Sequence, residues 1–393
     1  SKIMIYFFSL YLLLELIFFL LISYLQIRIP WIITDKNEYP DFKKEKIKNF
    51  IKKTYDYDLG WNWKPKTTHR EKIFNQINKI VFGSFGERAN FNKTKKKNSF
   101  ASFGDSFVFC RYVKNHETWQ EQLNKLSNFK VLNLGVGNYG LDQIYLKYKK
   151  TKLPKNIKII FIGFVPETLS RCLCLWKHYH EFNNIYAFKP KFSIYKNKIK
   201  LIKNPIKDRE SFNNIKKVIK DLKKKEFFYK EKFSKNKLNF PYFLSSLKNL
   251  KYNVRLIYFS TLKVLRINND KIFEFIIKNN CIKNDIYFAN KGNKKLIENL
   301  MLKINNLSKS RNQKIFFLIF PQKYDLFLKY QNYDKFFQMQ KDKFEIIDFT
   351  KIFKKKDINK IYLPDQYGGH LTPFGNKIVA ETLSKKIYSM KFN

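Results

Sequence analysis

The sequence contains few cysteines, four in 393 residues. That number is too small for a disulfide-stabilised scaffold in a chain of this length. Two of them form the run Cys172-Leu173-Cys174, which precedes His178-Tyr179-His180. Cys174 and His178 would share one face of a helix, an arrangement that suggests a metal site. Because the spacing matches no standard zinc pattern, we expect a chance cluster and no bound metal.

Acidic residues are also scarce, with 32 Asp and Glu against 78 Lys and Arg, so the formal net charge is +46. Such an excess suggests nucleic acid or an anionic membrane surface as a partner. The lysines, however, are spread over the whole chain together with abundant Asn, Ile, Phe and Tyr, which indicates a general compositional bias. Zinc-finger, homeodomain and RNP-like motifs are absent from the sequence. We therefore expect no nucleic-acid partner.

A long apolar run, Ile3 to Leu25, stands at the start of the sequence. About 20 apolar residues suffice for a helix to span a bilayer. Glu15 is costly in such a helix unless it is protonated or paired. No A-x-A-like cleavage site follows the run, so we expect an uncleaved single-pass anchor over residues 1–27.

The charges around this run give an ambiguous orientation. Lys2 precedes the run and Arg28, Lys36, Lys43 and Lys44 follow it, which by the positive-inside rule would keep the rest of the chain in the cytoplasm. Long domains translocate largely regardless of such charges. We therefore expect the remainder of the chain on the extracytoplasmic, periplasmic side.

The segment 28–98 is polar and weakly periodic, and it is interpreted as a stalk with partial structure. From residue 99 to 393 short apolar runs alternate with helical patterns, which predicts a three-layer α/β/α sandwich on a parallel sheet of about five strands. The predicted strands are Ser99–Phe103, Lys130–Leu134, Ile157–Phe164, Lys314–Phe320 and Phe344–Phe349. The alternation stops between about residues 172 and 292, where we expect a large insertion that contains a hairpin around Lys196-Asn197-Lys198.

Two segments carry residues suited to nucleophilic catalysis. Gly104-Asp105-Ser106-Phe107 directly follows the first predicted strand, where the serine hydroxyl would be exposed at the sheet edge that binds ligands. A serine needs a base to take its proton. His370 lies in a glycine-flanked loop just before a helix that Thr372 and Pro373 begin. The sequence contains neither G-x-x-x-x-G-K-[ST] nor G-x-S-x-G.

Together these segments resemble the blocks of the SGNH (GDSL-type) hydrolases. The similarity covers roughly Gly86 to the C-terminus, without the insertion. Its blocks are Gly104 to Phe107, Asn133 to Gln143, the strand Ile160 to Phe164, and Asp365 to Asn376. The resemblance implies an esterase in which Ser106 attacks an ester carbonyl, His370 is the base and Asp365 orients the histidine. It also implies an oxyanion hole at Ser106 and Asn138, and no cofactor.

This sequence departs from the family pattern at two places. Four residues separate Asp365 from His370 instead of the usual two, and Asp348 is the alternative acid, although we interpret it as a strand-terminal cap. Asn138 replaces the usual glycine, and no Asn follows Phe164 in the third block. Asn tolerates a positive φ, and we hypothesise that its amide supplies the missing oxyanion donor.

Two arginines are further candidates. Arg171 follows the third strand and could contact an anionic group of the substrate. Arg88 could contact substrate or stalk, but we expect a surface salt bridge. The expected substrate is an O-acyl ester, on a small molecule or on a carbohydrate or cell-envelope glycan. The alternatives are an O-acyltransferase with the same site and a non-catalytic binding or assembly protein that has lost the oxyanion hole.

Overall fold

The computed structural model describes residues 2–73, 76–89, 98–127, 129–268, 270–365 and 369–390. Within them the chain divides into two compact units. The first unit contains Ser1–Lys52, Leu173–Lys189 and Asn204–Ile276, and the second contains Lys53–Cys172, Pro190–Lys203 and Ile277–Asn393. The predicted division into anchor, stalk and α/β domain stays a prediction, and residues 90–97 of the stalk lie outside the described residues.

A five-stranded parallel sheet forms the centre of the second unit. Its strands, in chain order, are β1 (Asn98–Gly104), β2 (Lys130–Asn133), β3 (Ile159–Phe164), β4 (Lys314–Ile319) and β5 (Ile346–Asp348). In space the order is β2-β1-β3-β4-β5, and every neighbouring pair is parallel. The predicted parallel sheet of about five strands is thereby confirmed.

Two pairs of helices cover the faces of this sheet. Trp119–Leu126 packs against Pro373–Tyr388, and Leu141–Lys150 packs against Lys291–Ser310. Alternate strand residues point to opposite faces, so Phe100, Phe161 and Phe316 join one core cluster with Trp119. The result is the predicted three-layer α/β/α sandwich.

The remaining elements of the second unit are short. It contains the antiparallel pair Tyr55–Asp56 and Gly60–Trp61, the hairpin Thr68–Ile73 with Gln76–Val81, and the hairpin Lys191–Tyr195 with Lys198–Ile202. The last of these is the hairpin predicted within the insertion. Its further helices include Ser106–Phe109, Thr168–Leu173, Asn332–Gln340, Thr350–Lys354 and Ile358–Ile361.

The first unit is helical. Its elements include Lys2–Arg28, Lys44–Lys53, Lys177–His180, Ile215–Lys223, Ser234–Asn236, Tyr242–Leu247, Leu250–Val264 and the start of Lys271–Tyr287, with a π-helical turn at Tyr229–Phe233. Among the described residues, Lys2–Arg28 alone is long and apolar enough to cross a membrane, a property that a signal sequence shares. Its last turns are buried against Leu238, Leu256 and Ile272.

Candidate active site

The strand order of the sheet defines where a ligand would bind. The chain leaves β1 toward β2 on one side, while β3 lies on the other side of β1. In parallel sheets of this kind the binding crevice forms at such a switch point, outside the carboxyl ends of the two strands. Ser106 follows β1 by two residues, and Arg171 follows β3 by seven residues. Both predicted site segments therefore lie at the same edge of the sheet.

The turn after β1 is tightly packed. Asp105 caps the helix Ser106–Phe109 by accepting a hydrogen bond from the Phe107 N–H at 2.9 Å. A Cβ atom on Gly104 would lie 2.2 Å from the carbonyl oxygen of Gly163, so only glycine fits there. This packing fixes the position of Ser106, whose side chain is largely buried.

His370 is held by the loop before the last helix. Its carbonyl oxygen accepts a hydrogen bond from the Leu363 N–H at 2.8 Å, and Thr372 caps the helix by accepting from the Gly375 N–H at 3.0 Å. Two aromatic rings lie next to the imidazole, with centroids 5.4 Å away for Phe107 and 5.5 Å away for Tyr112. These contacts help to hold the ring in place.

The structure brings the serine, the histidine and an aspartate together. His370 Nε2 lies 3.0 Å from Ser106 Oγ, although 264 positions separate the two residues. His370 Nδ1 lies 2.7 Å from Asp365 Oδ2. Asp365 also accepts hydrogen bonds from the backbone N–H of Gly369 at 3.2 Å and of His370 at 2.7 Å. These distances are those of a serine–histidine–aspartate relay, in which the acid fixes the tautomer of the imidazole.

The unusual spacing between acid and histidine is compatible with this contact. The chain turns back at Gly369, which has a φ of +81°, and Asp365 caps that turn. Residues 366–368, which separate the two, lie outside the described residues. The alternative acid, Asp348, accepts a hydrogen bond from the Thr350 N–H at 2.8 Å and acts as a cap, as interpreted from the sequence.

Arg171 lies in a buried polar cluster behind Ser106. Its guanidinium donates hydrogen bonds to Asp105 Oδ2 at 3.2 Å, to the Tyr139 carbonyl at 3.2 Å and to Glu167 Oε2 at 2.7 Å. Only 5% of the Arg171 side chain is exposed. These contacts do not favour the predicted role as a substrate contact, since the charge is already matched by two carboxylates. They favour a positioning role instead.

Asp105 is the residue through which Arg171 acts on the site. Its Oδ2 accepts a hydrogen bond from the Val165 N–H at 3.0 Å, and its side chain is completely buried. Burial raises the pKa of Asp105, and the Arg171 guanidinium and the Val165 N–H oppose the rise. Asp105 thus joins the ends of β1 and β3. From the sequence, Asp105 could be recognised only as a capping residue next to Ser106.

The oxyanion-hole prediction concerns Ser106 and Asn138. The Val136 N–H donates to the Gly104 carbonyl at 2.9 Å, which places the segment before Asn138 against the turn that carries Ser106. Asn138 has a φ of +68°, the left-handed conformation expected for it from the sequence. Its role as an oxyanion donor, through backbone or side chain, stays a prediction.

Arg88 is buried, whereas the sequence predicted a surface salt bridge for it. It is 2% exposed and donates hydrogen bonds to the carbonyl oxygens of Phe109, Cys110 and Val113, and to Asn115. It therefore holds the backbone that follows the Ser106 helix. The sequence offered no signal for this role, because the four acceptors lie 21 to 27 positions away along the chain.

The cysteine–histidine cluster is buried, and one of its histidines has a backbone partner. Cys172 and Cys174 are both buried. His178 Nε2 lies 2.8 Å from the Asn37 carbonyl oxygen, and burial lowers the pKa of this histidine to about 4. His178 is therefore neutral near pH 7, and its described contacts are those of a structural histidine.

Comparison with known proteins adds little to this geometry. No protein-family profile matches the chain, and no curated protein matches it. A solved structure of a putative lipolytic protein of the G-D-S-L family from Desulfitobacterium hafniense DCB-2 is similar over 74% of this chain and 99% of its own, with 9% identity and a TM-score of 0.35. A likeness this distant carries no argument about the site, whose chemistry is inferred from the geometry of Ser106, His370 and Asp365.

Proposed function

We propose that this protein is a serine esterase of the SGNH (GDSL-type) kind. One observation carries the proposal, namely the continuous hydrogen-bonded relay from Asp365 through His370 to Ser106, at 2.7 Å and 3.0 Å. A serine hydroxyl becomes nucleophilic when an oriented imidazole can take its proton. The relay stands at the sheet edge where parallel α/β folds bind ligands.

The reaction follows from the order of these groups. Ser106 Oγ attacks the ester carbonyl carbon while His370 Nε2 takes the hydroxyl proton. The tetrahedral intermediate places its negative oxygen near the Ser106 N–H and Asn138. When it collapses, the bond to the alcohol breaks and His370 returns the proton to that alcohol. Water then attacks the acyl carbon while His370 Nε2 takes its proton. The bond to Ser106 Oγ breaks, the acid leaves, and His370 returns the proton to Ser106 Oγ. This chemistry uses no metal and no organic cofactor.

The substrate in this proposal is an O-acyl ester, carried by a small molecule or by a carbohydrate such as a cell-envelope glycan. The N-terminal helix would hold the enzyme in a membrane by a single span, with the esterase unit on the extracytoplasmic side. The family resemblance and the apolar helix support the choice of substrate and location, and no individual residue does.

Acyl transfer to a sugar is the second candidate, and one observation favours it. Ser106 and His370 are both only 5% exposed. Restricted access of water to an acyl-enzyme favours transfer to a bound alcohol over hydrolysis. Incubation with an acyl donor and a panel of sugar acceptors would separate the two activities, because a transferase forms acylated sugar faster than free acid.

A fluorophosphonate probe tests the proposed function directly. We expect covalent labelling of the full chain at Ser106, and no labelling in Ser106→Ala or His370→Ala. Ser389→Ala is the matched control, since Ser389 is a serine outside the site whose hydroxyl bonds locally to the Lys386 carbonyl. If the folded wild-type chain does not react, the site is not catalytic and the protein is a binding module.

A pair of variants at Asn138 tests the oxyanion donor. Asn138→Gly keeps the positive φ and the backbone N–H but removes the side-chain amide. If the amide is the donor, this variant loses about 10²–10³ in rate while the fold is retained. If activity survives in Asn138→Gly, the amide is not the donor. Asn138→Ala also removes the amide and adds strain at the positive φ, so its loss of rate should equal or exceed that of Asn138→Gly.

A further inference from the structure

The first unit presents a continuous stripe of exposed apolar side chains. We define this apolar stripe as Phe240, Leu244, Leu247, Leu250, Val254 and Tyr258, which are between 43% and 68% exposed. Leu244 and Leu247 lie three positions apart on the helix Tyr242–Leu247, whereas Leu250, Val254 and Tyr258 lie four positions apart on the helix Leu250–Val264, so each set shares one face of its helix. Exposed apolar surface of this kind marks an interaction site.

The same two helices pack on the N-terminal apolar helix. The Glu15 carboxylate accepts hydrogen bonds from the N–H groups of Tyr242 at 2.5 Å and of Phe243 at 2.9 Å. The rings of Phe18 and Phe243 are in edge contact, with centroids 5.4 Å apart. These contacts satisfy the charged group that is otherwise costly in an apolar helix.

The position of these contacts along the N-terminal helix determines how deep the segment from Tyr242 would lie in a bilayer. Glu15 lies about 20 Å from Arg28 at 1.5 Å per residue. On the neighbouring turns Leu13, Leu16 and Leu20 remain about half exposed. In a membrane of about 30 Å hydrocarbon thickness, those leucines face lipid. The segment that begins at Tyr242 lies beside them, at a depth where the surroundings are apolar.

Basic residues border the apolar stripe, and acidic ones are missing. Lys248, Lys251 and Arg255 are exposed next to it on the same segment. From Lys232 to Asn269 the sequence has no Asp or Glu. An apolar face flanked by Lys and Arg is typical of helices that lie in a membrane interface and contact anionic headgroups.

We propose that the helices Tyr242–Leu247 and Leu250–Val264 are a second membrane-contacting element of this protein. The apolar stripe contacts acyl chains beside the N-terminal helix, and Lys248, Lys251 and Arg255 contact anionic lipid headgroups. Glu15 then joins the two membrane elements inside the apolar region. All of these residues belong to the first unit, so the membrane contact is independent of the proposed catalysis, and it rests on the proposed membrane span of Lys2–Arg28.

The test is a depth measurement on the full chain in lipid vesicles. Vesicles contain phosphatidylcholine with about one third phosphatidylglycerol, enough anionic lipid to attract a basic segment. The four native cysteines are buried, so Val254→Cys can be labelled selectively with an environment-sensitive fluorophore. Lys217→Cys, an exposed position on another helix of the same unit, is the matched control.

We expect lipid-attached quenchers to remove most of the emission of the probe at position 254, and aqueous iodide to have little effect on it. At position 217 we expect iodide to quench the emission and lipid-attached quenchers to have little effect. Tyr258→Cys provides a second position if the first variant does not fold. Replacing Lys248, Lys251 and Arg255 by Gln is expected to reduce the lipid quenching in anionic vesicles toward that in pure phosphatidylcholine.

Iodide quenching at position 254 equal to that at position 217 would overturn the proposal. It would equally be overturned if position 254 were protected in native membranes but open to iodide in pure lipid vesicles. That result would assign the stripe to a protein partner.

Discussion

Replacement of Arg171 by methionine distinguishes a positioning residue from a substrate contact. The change removes three hydrogen bonds, including the short one of 2.7 Å to Glu167, and it leaves the carboxylates of Asp105 and Glu167 buried without their shared cation. Removing one partner of a buried ion pair typically costs about 3–5 kcal/mol. Against a total stability of about 5–15 kcal/mol, that is a large fraction.

The measurement is a urea titration of the full chain in detergent, followed by the fluorescence of tryptophan. We expect the midpoint of Arg171→Met to fall clearly, and Glu167→Gln in the same chain to restore about 1–2 kcal/mol by removing one of the two carboxylates that contacted the guanidinium. Lys377→Met is the control, because it breaks an exposed ion pair of 3.9 Å and should change stability by less than about 0.5 kcal/mol.

Two observations on Arg171→Met would together contradict this prediction. An unchanged midpoint for Arg171→Met, together with a raised KM for an anionic ester and not for a neutral one, would refute the positioning role. It would restore the interpretation of Arg171 as a contact for substrate.

Three further tests concern the carboxylate of Asp365, the turn at Gly104 and the pH dependence of stability through Glu38. Asp365→Asn should leave the fold intact and slow fluorophosphonate labelling by about 10³–10⁴, whereas an unchanged rate would show that another group orients His370. Gly104→Ala should destabilise the second unit by about 1–3 kcal/mol, seen in the same titration, because its methyl group would overlap the Gly163 carbonyl. Burial raises the pKa of Glu38, but hydrogen bonds from Lys223, Lys237 and Tyr229 outweigh this and lower it to about 2. A lowered pKa stabilises the fold above about pH 4.5, so Glu38→Gln should melt below wild type at pH 7 and converge with it as the pH falls toward 2; a constant difference would contradict this.

The sheet could be predicted from sequence because its strands are continuous apolar runs. The strand predicted as Lys130–Leu134 is found at Lys130–Asn133, and the one predicted as Lys314–Phe320 at Lys314–Ile319. The least accurate prediction concerns β5, an edge strand of three residues from Ile346 to Asp348. Strands buried on both faces leave an uninterrupted hydrophobic signal, and a short edge strand does not.

The site was predictable where it depends on local motifs. Ser106, His370 and Asp365 lie in turns whose glycines and caps are visible in the sequence. The contact between Asp105 and Arg171 was not, because these two residues approach each other only after β1 and β3 pair. The hydrogen bonds of Glu15 could not be predicted either, since its partners lie 227 and 228 positions away in the chain. Long-range pairing of buried charges leaves no local pattern in the sequence.

Asp365 and His370 lie five positions apart in the chain, and Asp365 contacts both the ring and the backbone N–H of His370. We therefore expect the two side chains to move together. The contact between His370 and Ser106 spans two distant parts of the second unit instead. A displacement of His370 together with Asp365 would therefore change the distance from the imidazole to the serine and leave the orientation of the imidazole by the carboxylate intact.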